Sequence, residues 1–249
     1  MVEIKRRAVL AGMAALPAAA CSELAETGPV GDAFDVAEDW HRTAHRTLAS
    51  RQALAREYAP DERSPDIKGN GTLRIETPDY RNAFENGFTD WRLSVTGLVD
   101  NPLSLSMDEL RALPQRTQIT RHDCVEGWSA IAEWTGPQLS ALLDTAKLRK
   151  EANFIVFRCA DVLYGRDYYE SVDLIDAYHP QTIIAHALNG APLPEKNGAP
   201  LRMRIERQLG YKSAKYLKGI EAVSSFEDIE GGKGGFWEDI GDYQWYAGI

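Results

Sequence analysis

The chain has 249 residues, of which 44% are hydrophobic, 26% charged and 9% aromatic. This composition is that of an ordinary globular protein, and it excludes the collagen-like, disordered and disulfide-scaffold classes. The 37 acidic residues outnumber the 28 basic ones, which gives a net charge of −9. Because proteins that bind duplex nucleic acid carry the opposite balance, we expect no nucleic-acid partner.

The N-terminus has the parts of an export signal. The pair Arg6-Arg7 precedes an apolar run over residues 8–20 that ends in small residues. The run is shorter than the roughly 20 residues that span a bilayer. A basic start, a short apolar stretch and a small-residue end are typical of a secretory signal peptide, and paired arginines are typical of twin-arginine export. We predict a twin-arginine-type signal peptide over 1–20 and a periplasmic protein; a buried N-terminal helix is the alternative.

Removal of this segment changes the charge and the first residue of the chain. Residues 1–20 contain three basic residues and one acidic residue, so the mature charge becomes −11. Cys21 then becomes the first residue, where a lipid anchor could be attached. Lipoproteins usually have Leu three residues earlier, but Ala18 stands there. The sequence leaves lipidation of Cys21 open.

Residues 21–72 form an N-terminal helical segment and a linker. Ala, Leu and charged residues predict a helix over 33–58, and Lys, Gly and Asn predict the linker that follows. His41 and His45 are four residues apart on this helix, a spacing that can chelate a metal. Because no third ligand is evident, we interpret them as part of a solvated face.

From residue 73 onwards the chain mixes short strands and short helices. Apolar–polar alternation or apolar runs predict strands at 73–75, 91–96, 154–157 and 201–205. Apolar spacing and capping signals predict helices at 107–113, within 134–148 and at 183–188. Strands and helices do not alternate regularly, which favours an α+β fold over a doubly wound parallel sheet.

Several common catalytic fingerprints are absent from the sequence. It contains no G-x-G-x-x-G motif after a strand, no P-loop and no G-x-S-x-G elbow. Dinucleotide-dependent hydride transfer, P-loop phosphate binding and α/β-hydrolase chemistry are therefore disfavoured.

Cys124 is the first candidate functional residue. It stands between Arg121-His122-Asp123 and Glu126 in a polar, turn-like segment. A cationic neighbourhood would favour the thiolate, which binds soft metals and attacks electrophiles. Two alternatives remain open for this residue: an inert buried thiol, or a disulfide with Cys159 in an oxidising compartment.

Two later segments have the composition of an anion-binding site. Residues 197–202 (Asn-Gly-Ala-Pro-Leu-Arg) and 209–215 (Leu-Gly-Tyr-Lys-Ser-Ala-Lys) combine glycine with hydrogen-bond donors and cations. Glycine lets the backbone approach a ligand closely, while Ser and Lys suit a phosphate-type group. Surface turns with solvated cations are the alternative.

These segments belong to an ordered set, which is specific although each member is weak alone. The set comprises 80–87 (Tyr-Arg-Asn-Ala-Phe-Glu-Asn-Gly), Gly97-Leu-Val with Pro102-Leu, Cys124-Val-Glu-Gly-Trp, 197–202 and 210–215. It resembles the molybdopterin-binding domain of the sulfite oxidase family. The resemblance implies that residues 73–249 form an oxidoreductase domain with the α+β, sulfite oxidase-type molybdopterin-binding fold of mixed short strands and helices.

The resemblance also implies a molybdenum–molybdopterin cofactor and the residues that hold it. Cys124 matches the thiolate that binds the metal, and Glu126 matches an acidic residue that relays a proton or shapes the pocket. The remaining matches are cofactor-binding positions: Arg81, Asn82, Phe84, Glu85, Cys159, Asn197, Arg202, Lys212, Ser213, Ala214 and Lys215. Cys159 stands where the reductase-type members have Thr.

The implied reaction is oxygen-atom transfer coupled to two electrons. Oxidase-type members have an Arg-rich segment after the metal-binding Cys, whereas Val125, Glu126 and Gly127 follow here. An acid about 4 Å from a sulfite charge would repel it by roughly 1 to 4 kcal/mol. We therefore predict reduction of sulfoxides such as methionine sulfoxide, as in the catalytic subunits of bacterial periplasmic protein-methionine-sulfoxide reductases. Sulfite dehydrogenase-type oxidation and a non-catalytic periplasmic molybdopterin-binding module are the alternatives.

Electrons must be exchanged with another protein, because the sequence has no C-x-x-C-H haem motif. The resemblance implies a membrane haem protein as the electron-transfer partner. The dimerisation domain of sulfite oxidases is absent, so we expect a monomer that acts on a small-molecule or protein-bound S-oxide.

Overall fold

A computed structural model describes residues 28–48 and 50–249. The chain divides into two compact units, residues 1–50 and 51–249. The described part of the first unit is helix α1, Gly28–Leu48. The ring centroids of His41 and His45 lie 4.3 Å apart on it. None of the helices in the described ranges is long and apolar enough to cross a membrane. The predicted signal peptide and Cys21 lie outside the described residues.

The helix predicted over 33–58 ends at Leu48 in the structure, so its predicted C-terminal end is wrong. The reason lies in the second unit, where the segment 51–58 has other partners. Glu57 forms a β-bridge with Thr120, and the Tyr58 amide donates to the Ile119 carbonyl at 2.9 Å. Pairing with a strand replaces the local hydrogen bonds that would have continued the helix.

The second unit contains eleven strands and five α-helices. The strands are β1 Arg92–Gly97, β2 Leu103–Ser106, β3 Gln115–Asp123, β4 Ser129–Pro137, β5 Phe154–Leu163, β6 Arg166–Asp173, β7 Ile183–Ala185, β8 Ala187–Leu188, β9 Ala191–Pro192, β10 Arg202–Arg204 and β11 Leu217–Val223. The helices are α2 Pro78–Glu85, α3 Met107–Ala112, α4 Leu139–Ala146, α5 Leu174–Ala177 and α6 Phe236–Gly241. Single 3₁₀ turns occupy Pro60–Glu62, Glu195–Asn197 and Gly210–Lys212.

The strands form three sheets. A five-stranded sheet has the order β2-β1-β11-β5-β6, and a four-stranded sheet has the order β3-β4-β8-β9. Strands β10 and β7 form a two-stranded ladder. Only β1 and β11 pair in parallel; the other pairs are antiparallel. The prediction of an α+β fold is confirmed.

Most of the predicted elements are present. Strands β1, β5 and β10 and helices α3 and α4 lie where the patterns placed them. Ser106 and Glu109 form the expected capping box at α3. Helix α4 buries Leu139, Leu142 and Leu143 completely against β1, as its apolar face predicted.

Two element predictions are wrong for reasons of tertiary packing. Residues 183–188, predicted as a helix, form β7 and β8. Ile183, Ile184 and Ala185 are all fully buried, so this strand is apolar on both faces. It therefore lacks the apolar–polar alternation by which a strand is predicted from sequence. Residues 73–75 form no strand; Ile75 is buried, and its amide donates to Glu195 Oε1 at 3.2 Å.

Candidate active site

A cavity of about 280 Å³ lies at the end of the β3–β4 hairpin. Its walls come from the loop at residues 70–72, the turn at Cys124, the β5–β6 hairpin and the segment from Arg202 to Lys215. Trp237 and Tyr243 complete it from the C-terminal end. Of the predicted site residues, five line this cavity: Cys124, Glu126, Arg202, Ser213 and Lys215.

The β3–β4 turn holds the Cys124 thiol at the cavity. The Cys124 amide donates to the Trp128 carbonyl at 2.9 Å, and the Gly127 amide donates to the Cys124 carbonyl at 3.0 Å. Gly127 takes a left-handed φ of 83°, which glycine adopts without a steric penalty. Cys124 itself is 6% exposed, and Asn70 Nδ2 donates to the Cys124 Sγ atom at 3.3 Å. The thiol therefore has a fixed position.

The surroundings of Cys124 do not favour the thiolate. Burial raises the pKa of the thiol, and the nearby Glu126 carboxylate adds to the rise. Arg121, which the sequence placed beside the thiol, instead pairs with Asp123 at 2.9 Å. Lys68 is the cation that acts on the thiol, and its effect is smaller than that of burial. A bound positive charge such as a metal ion would favour the thiolate.

Glu126 lies at the edge of the cavity with its side chain 53% exposed. Trp128 Nε1 donates to its Oε2 at 3.0 Å, and Lys68 Nζ lies 4.0 Å from the same oxygen. The carboxylate is thus held at the opening of the cavity.

Arg202 is buried and Lys215 is partly buried in the cavity wall, and within the described residues both cations donate to backbone carbonyls alone. Arg202 donates to the carbonyls of Asn197 at 3.0 Å and Ser213 at 3.1 Å, and its guanidinium stacks 5.0 Å from the Trp134 ring centroid. Within the described residues, no carboxylate forms an ion pair with it.

Lys215 has the same kind of surroundings. Its ammonium donates to the carbonyls of Asn70 at 2.7 Å, Lys196 at 3.2 Å and Thr72. Burial and the neighbouring guanidinium lower the pKa of Lys215 to about 7, and burial also lowers the pKa of Arg202 to about 9. Arg202 and Lys215 repel each other and form no ion pair within the described residues, although the buried Asp161 carboxyl of the same cavity partly offsets the fall in the pKa of Lys215. Two such cations suit an anion.

The lowered pKa of Lys215 predicts how the stability of the cofactor-free protein depends on pH. Between about 7 and the ordinary value of 10.5, the unfolded chain binds more protons at this residue than the folded chain. The free energy of unfolding should therefore rise with pH in this window, by up to about 1.4 kcal/mol per unit. Urea denaturation at pH 7 to 8.5 should show a steeper rise for the wild type than for Lys215→Met. Equal slopes would contradict the prediction.

A buried polar network that the sequence analysis missed supports the Cys124 turn from behind. Arg204 Nη1 donates to His122 Nδ1 at 2.6 Å and pairs with Glu206 at 2.6 Å. Burial and the Arg204 charge hold the pKa of His122 well below its ordinary value, so the imidazole is neutral. A Cβ atom on Gly210 would collide with the His122 ring, so only glycine fits there. The alternation of charged residues at 202, 204 and 206 was the sequence pattern that could have predicted this network.

The other predicted site residues do not line the cavity. Lys212 is fully buried in ion pairs with Glu170 and Glu238, so in this structure its charge is paired with two carboxylates and is not directed into the cavity. Ala214 and Cys159 are buried in the apolar core. Cys124 and Cys159 are both free thiols, which contradicts the disulfide alternative.

The segment on helix α2 is not brought to the cavity either. Arg81 pairs with Glu195, and its guanidinium lies 4.8 Å from the Phe84 ring centroid. Asn82 lines a separate surface cavity of about 610 Å³, while Phe84 and Glu85 are exposed. Asn197 is buried beside Arg202 but outside the cavity lining.

Comparison with known proteins places this arrangement in a family. Residues 80–228 match the family described as oxidoreductase molybdopterin binding domain. The chain belongs to this family. It is 41% identical over 158 residues to YedZ1 of Azospira oryzae, named as a putative protein-methionine-sulfoxide reductase subunit, covering 64% of this chain and 56% of that protein.

The chain spans about half the length of the curated relatives that it matches. It is 32% identical over 166 residues to the protein-methionine-sulfoxide reductase catalytic subunit MsrP of Xanthomonas campestris, covering 60% of this chain and 52% of that protein. The sulfane dehydrogenase SoxCD of Paracoccus pantotrophus aligns with a TM-score of 0.50 at 21% identity, covering 55% of this chain and 39% of that one. This last likeness concerns the fold alone.

The residues of the cavity fit an anionic metal cofactor of the kind that the family name states. A buried thiol supplies a soft metal ligand, and Arg202 and Lys215 supply positive charge that is not held in an ion pair within the described residues. Two buried polar atoms on cavity residues, Thr72 Oγ1 and Asp161 Oδ1, also lack hydrogen-bond partners among the described residues. Such atoms are rare in folded proteins, and a bound ligand would satisfy them.

Proposed function

We propose that this chain is a molybdenum cofactor-dependent oxidoreductase that reduces sulfoxides such as methionine sulfoxide by oxygen-atom transfer. The observation that carries the proposal is the placement in one cavity of the Cys124 thiol and two cations, Arg202 and Lys215, that form no ion pair within the described residues. Membership of the molybdopterin-binding family and the names of the curated relatives support it.

We propose distinct roles for the cavity residues. Cys124 would bind molybdenum, with Asn70 donating to its sulfur and the β3–β4 turn fixing its position. Arg202 and Lys215 would hold the anionic end of the cofactor, assisted by Ser213. The bound cofactor would supply the two-electron redox change and accept or release the oxygen atom.

The opening of the cavity favours a neutral substrate with apolar groups beside the sulfur atom over the sulfite dianion. Tyr164 and Val125 are 76% and 44% exposed at the lining, and the Trp237 ring stacks on Tyr243 at a centroid distance of 5.7 Å. Aromatic and aliphatic surfaces suit a thioether side chain. The exposed Glu126 carboxylate would repel a dianion at the same opening.

The remaining parts of the proposal concern export and electron supply. Arg6-Arg7 and the apolar run support twin-arginine export to the periplasm, and Cys21 is the position for a lipid anchor. We propose that a membrane haem protein supplies the electrons, since the sequence contains no haem-attachment motif.

A substrate panel tests the proposed function. Molybdenum-loaded protein with an artificial electron donor should reduce a peptide that contains methionine sulfoxide, and should oxidise sulfite more slowly in the reverse assay. Glu126→Gln should lower the KM for sulfite by about fivefold or more, the effect of roughly 1 kcal/mol of removed repulsion. The KM for the neutral sulfoxide should change little.

The matched control is Glu227→Gln, which neutralises an exposed acid that does not line the cavity. It should leave both KM values unchanged. Sulfite oxidation faster than sulfoxide reduction in the wild type would contradict the proposed direction, and an absence of both activities would favour the non-catalytic binding module.

A further inference from the structure

A fully buried ionic cluster lies beside the cavity. Lys212 Nζ is 2.8 Å from Glu170 Oε2 and also donates to Glu238 Oε1. All three side chains are at most 1% exposed. The cluster joins three elements, since Glu170 lies on β6, Lys212 in the 3₁₀ turn Gly210–Lys212, and Glu238 on α6.

The charges of this cluster do not balance if both carboxyl groups are ionised. One ammonium faces two carboxylates, and an unpaired buried charge costs several kcal/mol. A Cβ atom on Gly235 would collide with Oε2 of both Glu170 and Glu238, so the two oxygens face the same point. Glu238 Oε2 has no hydrogen-bond donor in the structure. A proton on one carboxyl group would neutralise the cluster and supply the missing donor.

Electrostatics agree with this geometry. Burial and the charge of Glu238 hold the pKa of Glu170 well above its ordinary value. The two carboxylates raise the pKa of Lys212 although burial opposes its charge. The other ionisable groups that interact with Glu170 or its neighbour Tyr168 are Tyr169 on the same strand, Cys159 and Asp161 on β5, and the Arg202 guanidinium of the cavity wall.

Tyr168 connects the cluster to the cavity. Its ring packs on Phe236 at a centroid distance of 5.1 Å, and the residue lines the cavity. Its hydroxyl oxygen lies 3.5 Å from Glu170 Oε1 and 3.4 Å from the Tyr211 carbonyl oxygen, at the outer limit of hydrogen bonding. A phenol is both donor and acceptor, so it can receive one proton while giving up another.

We propose that Glu170 and Glu238, which Lys212 holds together, share one proton. Tyr168 passes this proton to the cavity during turnover. The inference rests on the proposed function, because reduction of a sulfoxide by two electrons consumes two protons and releases a thioether and water. An external electron donor supplies the electrons. Rotation of the protonated Glu170 carboxyl group turns its O–H from Glu238 towards Tyr168, whose hydroxyl lies beside the other carboxyl oxygen. The Glu170 O–H bond breaks as the Tyr168 oxygen gains a proton, and the Tyr168 O–H bond breaks as its own proton goes to the oxygen removed from the sulfoxide.

After each turnover the cluster regains its proton from water through the cavity. Tyr168 and Glu170 thereby deliver one of the two protons that the reaction needs, and water supplies the other. Lys212 positions the two carboxyl groups and offsets one of the two carboxylate charges when the proton has left.

Infrared spectroscopy tests the shared proton without any assay of activity. At neutral pH the wild-type protein should show the C=O stretch of a protonated carboxylic acid, and Glu170→Gln should lack it. Glu238→Gln serves if Glu170→Gln does not fold. Asp161→Asn removes the other buried carboxyl group whose pKa is raised by burial, and this variant should keep the band. A wild-type spectrum without a carboxylic acid band at neutral pH would overturn the proposal.

Kinetics of the loaded enzyme test the route. Tyr168→Phe should lower kcat by about 100-fold, the lower end of what a positioned proton donor contributes. Small buffer acids should restore part of the rate, which they would not do for a merely structural defect. The control Tyr178→Phe removes a hydroxyl from a tyrosine at the end of α5, outside the cavity lining.

The outcomes separate this inference from the proposed function. A carboxylic acid band with normal, buffer-independent turnover in Tyr168→Phe would overturn the route. If the loaded wild type reduced no sulfoxide, the proposed function would fail and the delivery step with it, while the infrared band would still report the shared proton.

Discussion

Cys124→Ala is expected to abolish turnover and to remove most of the bound molybdenum. The thiol is the soft ligand of the cavity, and no group of three or more metal-ligating side chains occurs elsewhere in residues 28–48 and 50–249. The affinity for molybdenum should fall by more than about 100-fold, because replacing even a hydrogen-bond partner of a metal ligand lowers metal affinity or activity by 10- to 100-fold. Metal analysis and sulfoxide reduction by protein from a molybdopterin-competent host measure both effects.

The comparison variant is Cys159→Ala, which removes the other described thiol. Cys159 is buried in the core on β5 and does not line the cavity. The structure therefore predicts that this variant keeps its molybdenum, whereas the resemblance implies a cofactor contact at this position. Loss of metal from Cys159→Ala alone, with Cys124→Ala still loaded, would contradict the assignment of the ligand.

Arg202→Met should have the second largest effect, on binding of the cofactor. The guanidinium donates to two carbonyls and lines the cavity without a carboxylate partner. A hydrogen bond to a charged group contributes about 1.5 to 3 kcal/mol, so the affinity for the anionic cofactor should fall by roughly 10- to 150-fold. Cofactor content after dialysis measures the loss, and circular dichroism checks that the variant is folded.

Arg158→Met provides the matched control. Arg158 lies on β5 and pairs with Glu221 at 2.9 Å, with both side chains 33% exposed. Loss of this partly exposed pair should cost at most about 1 kcal/mol of stability and leave cofactor content unchanged. Equal cofactor loss in the two arginine variants would indicate general destabilisation rather than a lost anion contact.

Local patterns were enough to predict the elements with a clear period or a cap. The capping box at Ser106 and the apolar face of α4 are properties of a few adjacent residues, and the structure contains both. Residues 183–188 and 51–58 were mispredicted because their conformations depend on pairing with strands that are distant in sequence.

The same division holds for the site. Segment composition selected Cys124, Arg202 and Lys215, and all three line the cavity. Lys212 has the same composition signal as Lys215, yet its ammonium is directed to two buried carboxylates. Glu170 and Glu238 lie 68 residues apart in the sequence, so no local pattern could reveal this pairing.

The sequence by itself determined that the chain is acidic and globular, that it mixes strands and helices, and that a thiol and two glycine-bearing basic segments follow the order of a molybdopterin-binding domain. Only the tertiary structure decided which of the cations near the cavity are held in ion pairs. The reason is physical: the charge of a lysine or arginine is fixed by its chemistry, but its availability to an anion depends on which carboxylates the fold brings beside it. Lys215 meets only backbone carbonyls at hydrogen-bond distance, whereas Lys212 meets Glu170 and Glu238.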